Sequence, residues 1–238
     1  TAYGTGAFLV INTGTEIRRC KSGLLSTLGW TDANGRPTYC LEGSLFNAGT
    51  VIQWLRDGLQ IIDEAPEINA LAMEVPDSGG VMLVPAFTGW GTPHWDPEAR
   101  GLMIGLTRNS SKAHIARAAL EGIALSVASL VELAEAALGH GLGELAVDGG
   151  AAASDPLLQA QSDCTGLTVR RPSNLESTAR GVAILAGLQA GVIPDLDALD
   201  QQRRNGAQLF QPHINQAQRQ SMRGRWSDAV TRSLNWHE

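Results

Sequence analysis

The sequence is poor in aromatic residues and has no long uncharged hydrophobic run. Phe, Trp and Tyr make up 5% of its 238 residues, whereas Ala, Leu and Gly dominate. This composition favours helices packed closely on a sheet over an all-β sandwich. The longest apolar runs fall far below the ~18 residues that a membrane span needs, and no signal peptide is visible. We therefore expect no membrane partner.

Cysteine and clustered positive charge are also scarce. The three cysteines, Cys20, Cys40 and Cys164, are odd in number and widely spaced, which excludes a disulfide framework or a zinc pattern and predicts free thiols in a reducing cytoplasm. The five histidines are dispersed, so we assign no metal site. The net charge is −6 and the basic residues are scattered, which argues against a nucleic-acid partner.

The first third of the chain has the pattern of strands. Residues 7–14, 23–30 and 37–44 are short apolar segments separated by turns. The Asn34-Gly35 pair between the last two is a strong hairpin signal. We expect three antiparallel strands that follow one another as a meander.

The remaining chain alternates between helix and strand patterns. The predicted helices are 46–62, 111–138, 155–166, 176–192 and 216–236, and the predicted strands are 81–89, 144–150 and 167–172. Ser110 or Ser111 can cap the long helix at 111. This order predicts an α/β fold with a mixed sheet flanked by helices. We find no repeat or linker and expect one domain over residues 1–238.

Two glycine turns are candidates for binding an anion. The YGTG segment at 3–6 presents Thr5 between two glycines, and Gly149 and Gly150 stand between a strand and a helix whose free amides would face the same space. Each alone is more often a plain tight turn. Together they fit a cleft that holds phosphates and a nucleoside, and Gly49 and Gln53 could line it.

Carboxylates that could serve as a catalytic base do not stand out. Asp148 beside the glycine turn is better explained by hydrogen bonds to the loop, Asp96 by capping of a turn, and Glu121 by a structural role on the long helix. The P-loop and GxGxxG motifs are both absent.

Taken together, these motifs resemble the C-terminal half of the glycerol kinases, within the carbohydrate kinase family named for its Phe-Gly-Gly-Tyr motif. The similarity covers almost the full length. The segments that carry it are YGTGAFLVINTG (3–14), LEGSLFNAGTVIQWLRD (41–57), VPAFTGWGTPHWDPEARG (84–101), GLTRNSSKAHIARAALEGIA (105–124), VDGGAAASDPLLQAQSD (147–163) and ESTARGVAILAGLQAG (176–191).

The resemblance implies an actin-like, ribonuclease H-like domain that binds ATP or ADP with Mg²⁺. Thr5 would contact the phosphates, Gly49 and Gln53 would line the nucleotide pocket, and Gly150 would approach the nucleotide. Ser154 stands where the family usually has Asn, so its adenine contact is an open question. Phe8 would form a wall of the glycerol site.

The resemblance also implies that the chain begins where the second of two domains begins. The catalytic Asp, most glycerol ligands and most Mg²⁺ ligands would then lie in a preceding half, and this chain alone would be inactive. Cytoplasmic location and a homo-oligomer are expected. The alternatives are the same half of another polyol or sugar kinase, of the xylulose or rhamnulose type, and a non-catalytic actin-like nucleotide-binding module.

A small-residue face on the helix at 178–191 allows two readings. Ala179, Ala183, Ala186, Gly187 and Ala190 recur at helical spacing. They could pack on the sheet, or they could cross a helix of the preceding half near a hinge.

Overall fold

The computed structural model describes residues 1–32, 34–193 and 206–236. The strands are β1 Ala2–Tyr3, β2 Ala7–Gly14, β3 Leu25–Thr31, β4 Pro37–Leu45, β5 Met82–Val84, β6 Leu102–Ile104, β7 Glu144–Ala146, β8 Thr168–Arg171 and β9 Gln208–Phe210. The helices are α1 Gly49–Asp57, α2 Glu67–Ala72, α3 Lys112–Leu138, α4 Asp155–Thr165, α5 Ser177–Gln189 and α6 Gln216–Ser233, with a 3₁₀ helix at Gly150–Ala153.

The strands form three sheets. The first has the order β1-β2-β4-β3 and is antiparallel. The second pairs β5 with β6, and the third has the order β7-β8-β9, with one parallel and one antiparallel pairing. A parallel bridge between Ala2 and Asp148 joins the first sheet to the third. The predicted mixed α/β arrangement is confirmed. Among the described strands, parallel pairing is found at β7-β8, and isolated parallel bridges join Ala2 to Asp148 and Phe87 to Gly89.

The predicted meander is wrong in its strand order. The hairpin at Asn34-Gly35 does join β3 to β4, and Asp32 Oδ1 accepts hydrogen bonds from the amides of Asn34 and Arg36 at 2.8 and 2.9 Å. However, β4 also pairs with β2 and is therefore central. The connection between β2 and β3 is long enough to carry β3 to the far side of β4.

Several predicted boundaries also change. The helix predicted over 46–62 ends at Asp57, because Gly58 and the left-handed Gln60, at φ 54°, turn the chain away. The sequence did not predict α2, β6, β9 or the 3₁₀ helix. Each has six residues or fewer, which is too short for a periodic pattern to stand out.

The long helix α3 forms the centre of the core. Ser111 is its N-cap residue, and Gly139 ends it in a left-handed conformation at φ 78°. Gly122 lies so close to β5 that an added Cβ would stand 2.1 Å from the Leu83 carbonyl oxygen. The length of α3 and its mean hydropathy of 1.4 would suit a membrane span. However, 78% of its most apolar stretch is buried within the fold, as in the core helix of a globular domain.

Candidate functional site

The YGTG loop is anchored by its own first residue, the buried Tyr3. Tyr3 is fully buried, its amide donates to the Asp148 carbonyl at 2.8 Å, and its hydroxyl donates to Gln161 Oε1. Burial raises the pKa of Tyr3 well above its usual range, so the hydroxyl keeps the proton that it donates. The start of the chain is thereby fixed to the segment that follows β7 and to α4.

The same loop supports the start of α1. The Gly49 amide donates to the Gly4 carbonyl at 3.0 Å, and the Thr50 amide donates to the Thr5 carbonyl at 3.3 Å. A Cβ on Gly49 would stand 2.6 Å from the Gly4 oxygen, so only glycine allows this approach. The first amides of α1 are therefore engaged by the loop, and Gly49 acts as a spacer.

The second glycine turn is built by close approach to the first. Gly149 has φ +86° and would place a Cβ 2.3 Å from the Tyr3 carbonyl oxygen, which requires glycine. Gly150 follows at the start of the 3₁₀ helix, and a Cβ there would meet no atom within 4 Å.

The helix that directly follows this turn is not the one that the sequence predicted. The 3₁₀ helix lies between the glycines and α4, so the amides next to the glycines belong to the 3₁₀ helix. In α4 the Leu157 amide is capped by the Ser154 hydroxyl at 3.2 Å, so it is not free to face a ligand.

These elements enclose a cavity of about 410 Å³. The structure brings together at this cavity all five residues that the sequence proposed for a nucleotide: Thr5, Gly49, Gln53, Gly150 and Ser154. They come from three segments that are far apart in the chain. Sequence reasoning missed the wall that α2 provides, including Ile68 and Asn69, because a six-residue helix gives no clear periodic signal.

The polar groups around the cavity differ in their availability. Thr5 and Gln53 are exposed, and no described residue hydrogen-bonds to either side chain. Arg56 also lines the cavity, but its guanidinium is held by Asp57 through two hydrogen bonds of 2.6 and 2.8 Å. The Thr5 hydroxyl and the Gln53 amide are thus free to meet a polar ligand.

Ser154 is engaged rather than free. It is 6% exposed, and its hydroxyl donates to Asn69 Oδ1 at 2.6 Å while it accepts from the Leu157 amide. The resemblance to the family left its contact with a base open. In this structure its hydroxyl proton is already committed to Asn69.

Phe8 lies apart from the cavity. It is 43% exposed on the face of the first sheet, opposite Ser44 of β4, and it is not among the residues that line the cavity. The contact of Phe8 with a polyol therefore stays a prediction, and it would have to be made at this exposed sheet face.

The other carboxylates that the sequence singled out have structural partners. Asp96 accepts hydrogen bonds from the amides of Glu98 and Asn235 at 2.8 and 2.7 Å, which lower its pKa. Glu121 is 7% exposed and accepts from Arg117 at 2.7 Å. Both structural interpretations are confirmed. For Asp148, the loop contacts are made by its backbone.

Comparison with known proteins identifies the family. A model of the C-terminal domain of the FGGY family of carbohydrate kinases matches residues 1–190. This chain belongs to the FGGY family. The resemblance found in the sequence is thereby confirmed, and the actin-like α/β fold is confirmed by the solved structure of a glycerol kinase.

The most similar curated relatives include glycerol kinases. The glycerol kinase of Nitratidesulfovibrio vulgaris strain DP4 is 49% identical over 236 residues, which cover 99% of this chain and 47% of that protein. The glycerol kinase of Pseudothermotoga lettingae is 47% identical with the same coverage. This FGGY chain therefore spans about half the length of the curated relatives it matches.

Solved structures of a glycerol kinase and a xylulose kinase superpose over nearly the whole chain. The Plasmodium falciparum glycerol kinase with ADP has a TM-score of 0.89 at 34% identity, and the match covers 98% of this chain and 46% of that one. A xylulose kinase from Lactobacillus acidophilus gives 0.78 at 23% identity, which shows the shared fold alone.

Proposed function

We propose that this chain is the nucleotide-binding half of a glycerol kinase, which converts ATP and glycerol into ADP and sn-glycerol 3-phosphate. The observation that carries the proposal is the convergence of Thr5, Gly49, Gln53, Gly150 and Ser154 on one cavity. The identity of 49% with a glycerol kinase supports the choice of glycerol. A cytoplasmic location and a homo-oligomer belong to the same proposal.

In this proposal the two glycine turns make different contacts with the nucleotide. The open space beside Gly150 lets a ligand approach the backbone, and the exposed Thr5 hydroxyl can donate to a phosphate oxygen. Gly49 keeps α1 against the loop, and Gln53 lies one turn farther along the same helix. The cavity volume of about 410 Å³ is in the range of small-molecule sites.

The residues around this cavity do not fit a magnesium site. Mg²⁺ binds to carboxylates and phosphate oxygens, and none of the lining residues is Asp or Glu. Among the described residues, no group of three His, Cys, Asp or Glu side chains could hold a metal. In the proposal the magnesium ligands therefore belong mainly to the preceding half of the full-length protein.

Transfer of the phosphoryl group needs more than this half provides. The acceptor hydroxyl must lie in line with the γ-phosphate and be oriented against a base. The proposal places that base and most glycerol ligands in the preceding half, with Phe8 as this chain's contribution to the glycerol wall. Closure of the two halves would then complete the site.

Nucleotide binding is tested by calorimetry on the purified chain. We expect weak ADP binding, because half of the phosphate contacts are missing. Absence of ADP and ATP binding at millimolar concentration would refute the assignment of the cavity.

Catalysis is tested by a coupled kinase assay on the chain alone and on the chain mixed with the separately expressed preceding half. We expect turnover only after mixing. Turnover by the chain alone would place the base in this half, against the proposal. Assays with xylulose and rhamnulose in place of glycerol distinguish the alternative sugar kinases, and a mixture that binds ADP without turning over any polyol would favour a non-catalytic module.

A further inference from the structure

The hydrogen-bond inventory of Ser154 shows that its hydroxyl has no proton left to donate to a base. A serine hydroxyl has one proton and two lone pairs. The proton goes to Asn69 Oδ1 at 2.6 Å, and one lone pair receives the Leu157 amide at 3.2 Å. Because Ser154 caps α4, the second contact holds the hydroxyl in place.

The bond to Ser154 also orients Asn69. The Asn69 side chain presents its oxygen to the hydroxyl, so its amide nitrogen is directed elsewhere. No described residue accepts a hydrogen bond from that nitrogen. Asn69 is half-buried and lines the cavity. The cavity wall at α2 therefore offers an N–H donor whose acceptor is not supplied by the described protein.

We propose that Asn69 is the side chain that reads the nucleotide base and that Ser154 is its positioning residue. This inference rests on the proposed function, since it requires a nucleotide in the cavity. A donor amide bonds acceptor atoms on a purine edge: N7, which adenine and guanine share, N1 of adenine, and O6 of guanine. The N–H₂ group of Asn69 offers no acceptor to the 6-amino group of adenine. Asn69 thus recognises a purine acceptor edge and does not exclude guanine.

The decisive variant reverses the polarity of Asn69 while keeping its bond to Ser154. In Asn69→Asp, one carboxylate oxygen can still accept from the Ser154 hydroxyl, and the other replaces the N–H donor with an acceptor. That acceptor matches the 6-amino group of adenine and repels O6 of guanine, whereas its effect on N7 is the same for both bases. Any repulsion of the phosphates acts on ADP and GDP alike, so it cancels in the ratio of their affinities.

The experiment measures the dissociation constants of ADP and GDP for the chain by calorimetry. For the unaltered chain we expect values within about tenfold of each other, since the loss or gain of one hydrogen bond changes affinity by about that factor. Asn69→Asp should raise the preference for ADP by about tenfold. Ser154→Ala should weaken both ligands severalfold, because the amide of Asn69 is then free to rotate.

Asn12→Asp is the matched control. Asn12 Oδ1 also accepts a hydrogen bond, from the Gly14 amide at 2.8 Å, but Asn12 is not among the residues that line the cavity. The Asn12→Asp variant should leave the ratio of the ADP and GDP dissociation constants unchanged. If the unaltered chain binds ADP and Asn69→Asp leaves the ADP to GDP ratio as it was, the role of Asn69 is refuted while the proposed function stands. If the unaltered chain binds neither nucleotide, the role of Asn69 and the proposed function are both refuted.

Discussion

Tyr3 and Gln161 are joined by a buried hydrogen bond across 158 positions of sequence, from the Tyr3 hydroxyl to Gln161 Oε1. Both side chains are fully buried, and Gln161 Nε2 also donates to the Ala124 carbonyl at 3.2 Å. The bond links the YGTG loop, which lines one side of the cavity, to α4. It explains how a loop at the very start of the chain is held against α4.

Tyr3→Phe should destabilise the fold by about 1–3 kcal/mol, because it leaves the buried Gln161 oxygen without a donor. Urea unfolding followed by circular dichroism measures the change. Tyr39→Phe is the matched control, since no described residue hydrogen-bonds to the Tyr39 hydroxyl. Equal losses in the two variants would mean that the buried bond contributes nothing specific.

Gly49→Ala should displace the YGTG loop from α1. The new Cβ would lie 2.6 Å from the Gly4 carbonyl oxygen, and such overpacking costs about 1–3 kcal/mol. We expect lower stability in urea and weaker ADP binding together. Gly224→Ala in α6, where an added Cβ meets no atom within 4 Å, should be neutral or stabilising. A Gly49→Ala chain with unchanged ADP affinity would contradict the role of Gly49 as a spacer.

Gly150→Val should abolish nucleotide binding without unfolding the chain. Because an added Cβ at Gly150 meets no protein atom within 4 Å, the fold can accept the side chain, whereas a ligand in the cavity cannot. Calorimetry with ADP tests the loss, and a thermal melt within a few degrees of the unaltered chain shows that the fold survives. Retained ADP affinity would place the ligand away from this turn.

Ala183→Leu distinguishes two roles for the small-residue face of α5. Packing on the sheet is not observed, since Ala179, Ala183, Ala186 and Ala190 are exposed and no residue of α5 is buried. The remaining prediction is contact with a helix of the preceding half.

On that prediction, Ala183→Leu should change the stability of this chain by no more than about 0.5 kcal/mol. In the protein that also carries the preceding half, it should lower turnover more than stability. Urea unfolding of the chain and a coupled kinase assay of the longer protein provide the two measurements. Parallel loss of stability in both proteins would argue for a packing role within this half.

Local sequence patterns determined those parts of the fold whose causes are local. The long apolar stripe and Ser111 fixed α3, the Asn34-Gly35 pair fixed one hairpin, and the paired glycines marked the turns that later proved to bound the cavity. Side-chain period, capping and left-handed backbone positions all act within a few residues, so they can be recognised along the chain.

Only the tertiary structure decided which segments are neighbours. The central place of β4, the bond between Tyr3 and Gln161, and the pairing of Ser154 with Asn69 each join distant positions. No local pattern specifies these contacts, because a strand's alternation or a helix's period shows which face is buried and not what covers it. The sequence thus named Ser154 as a site residue, whereas the packing of α2 against α4 assigned its hydroxyl to Asn69.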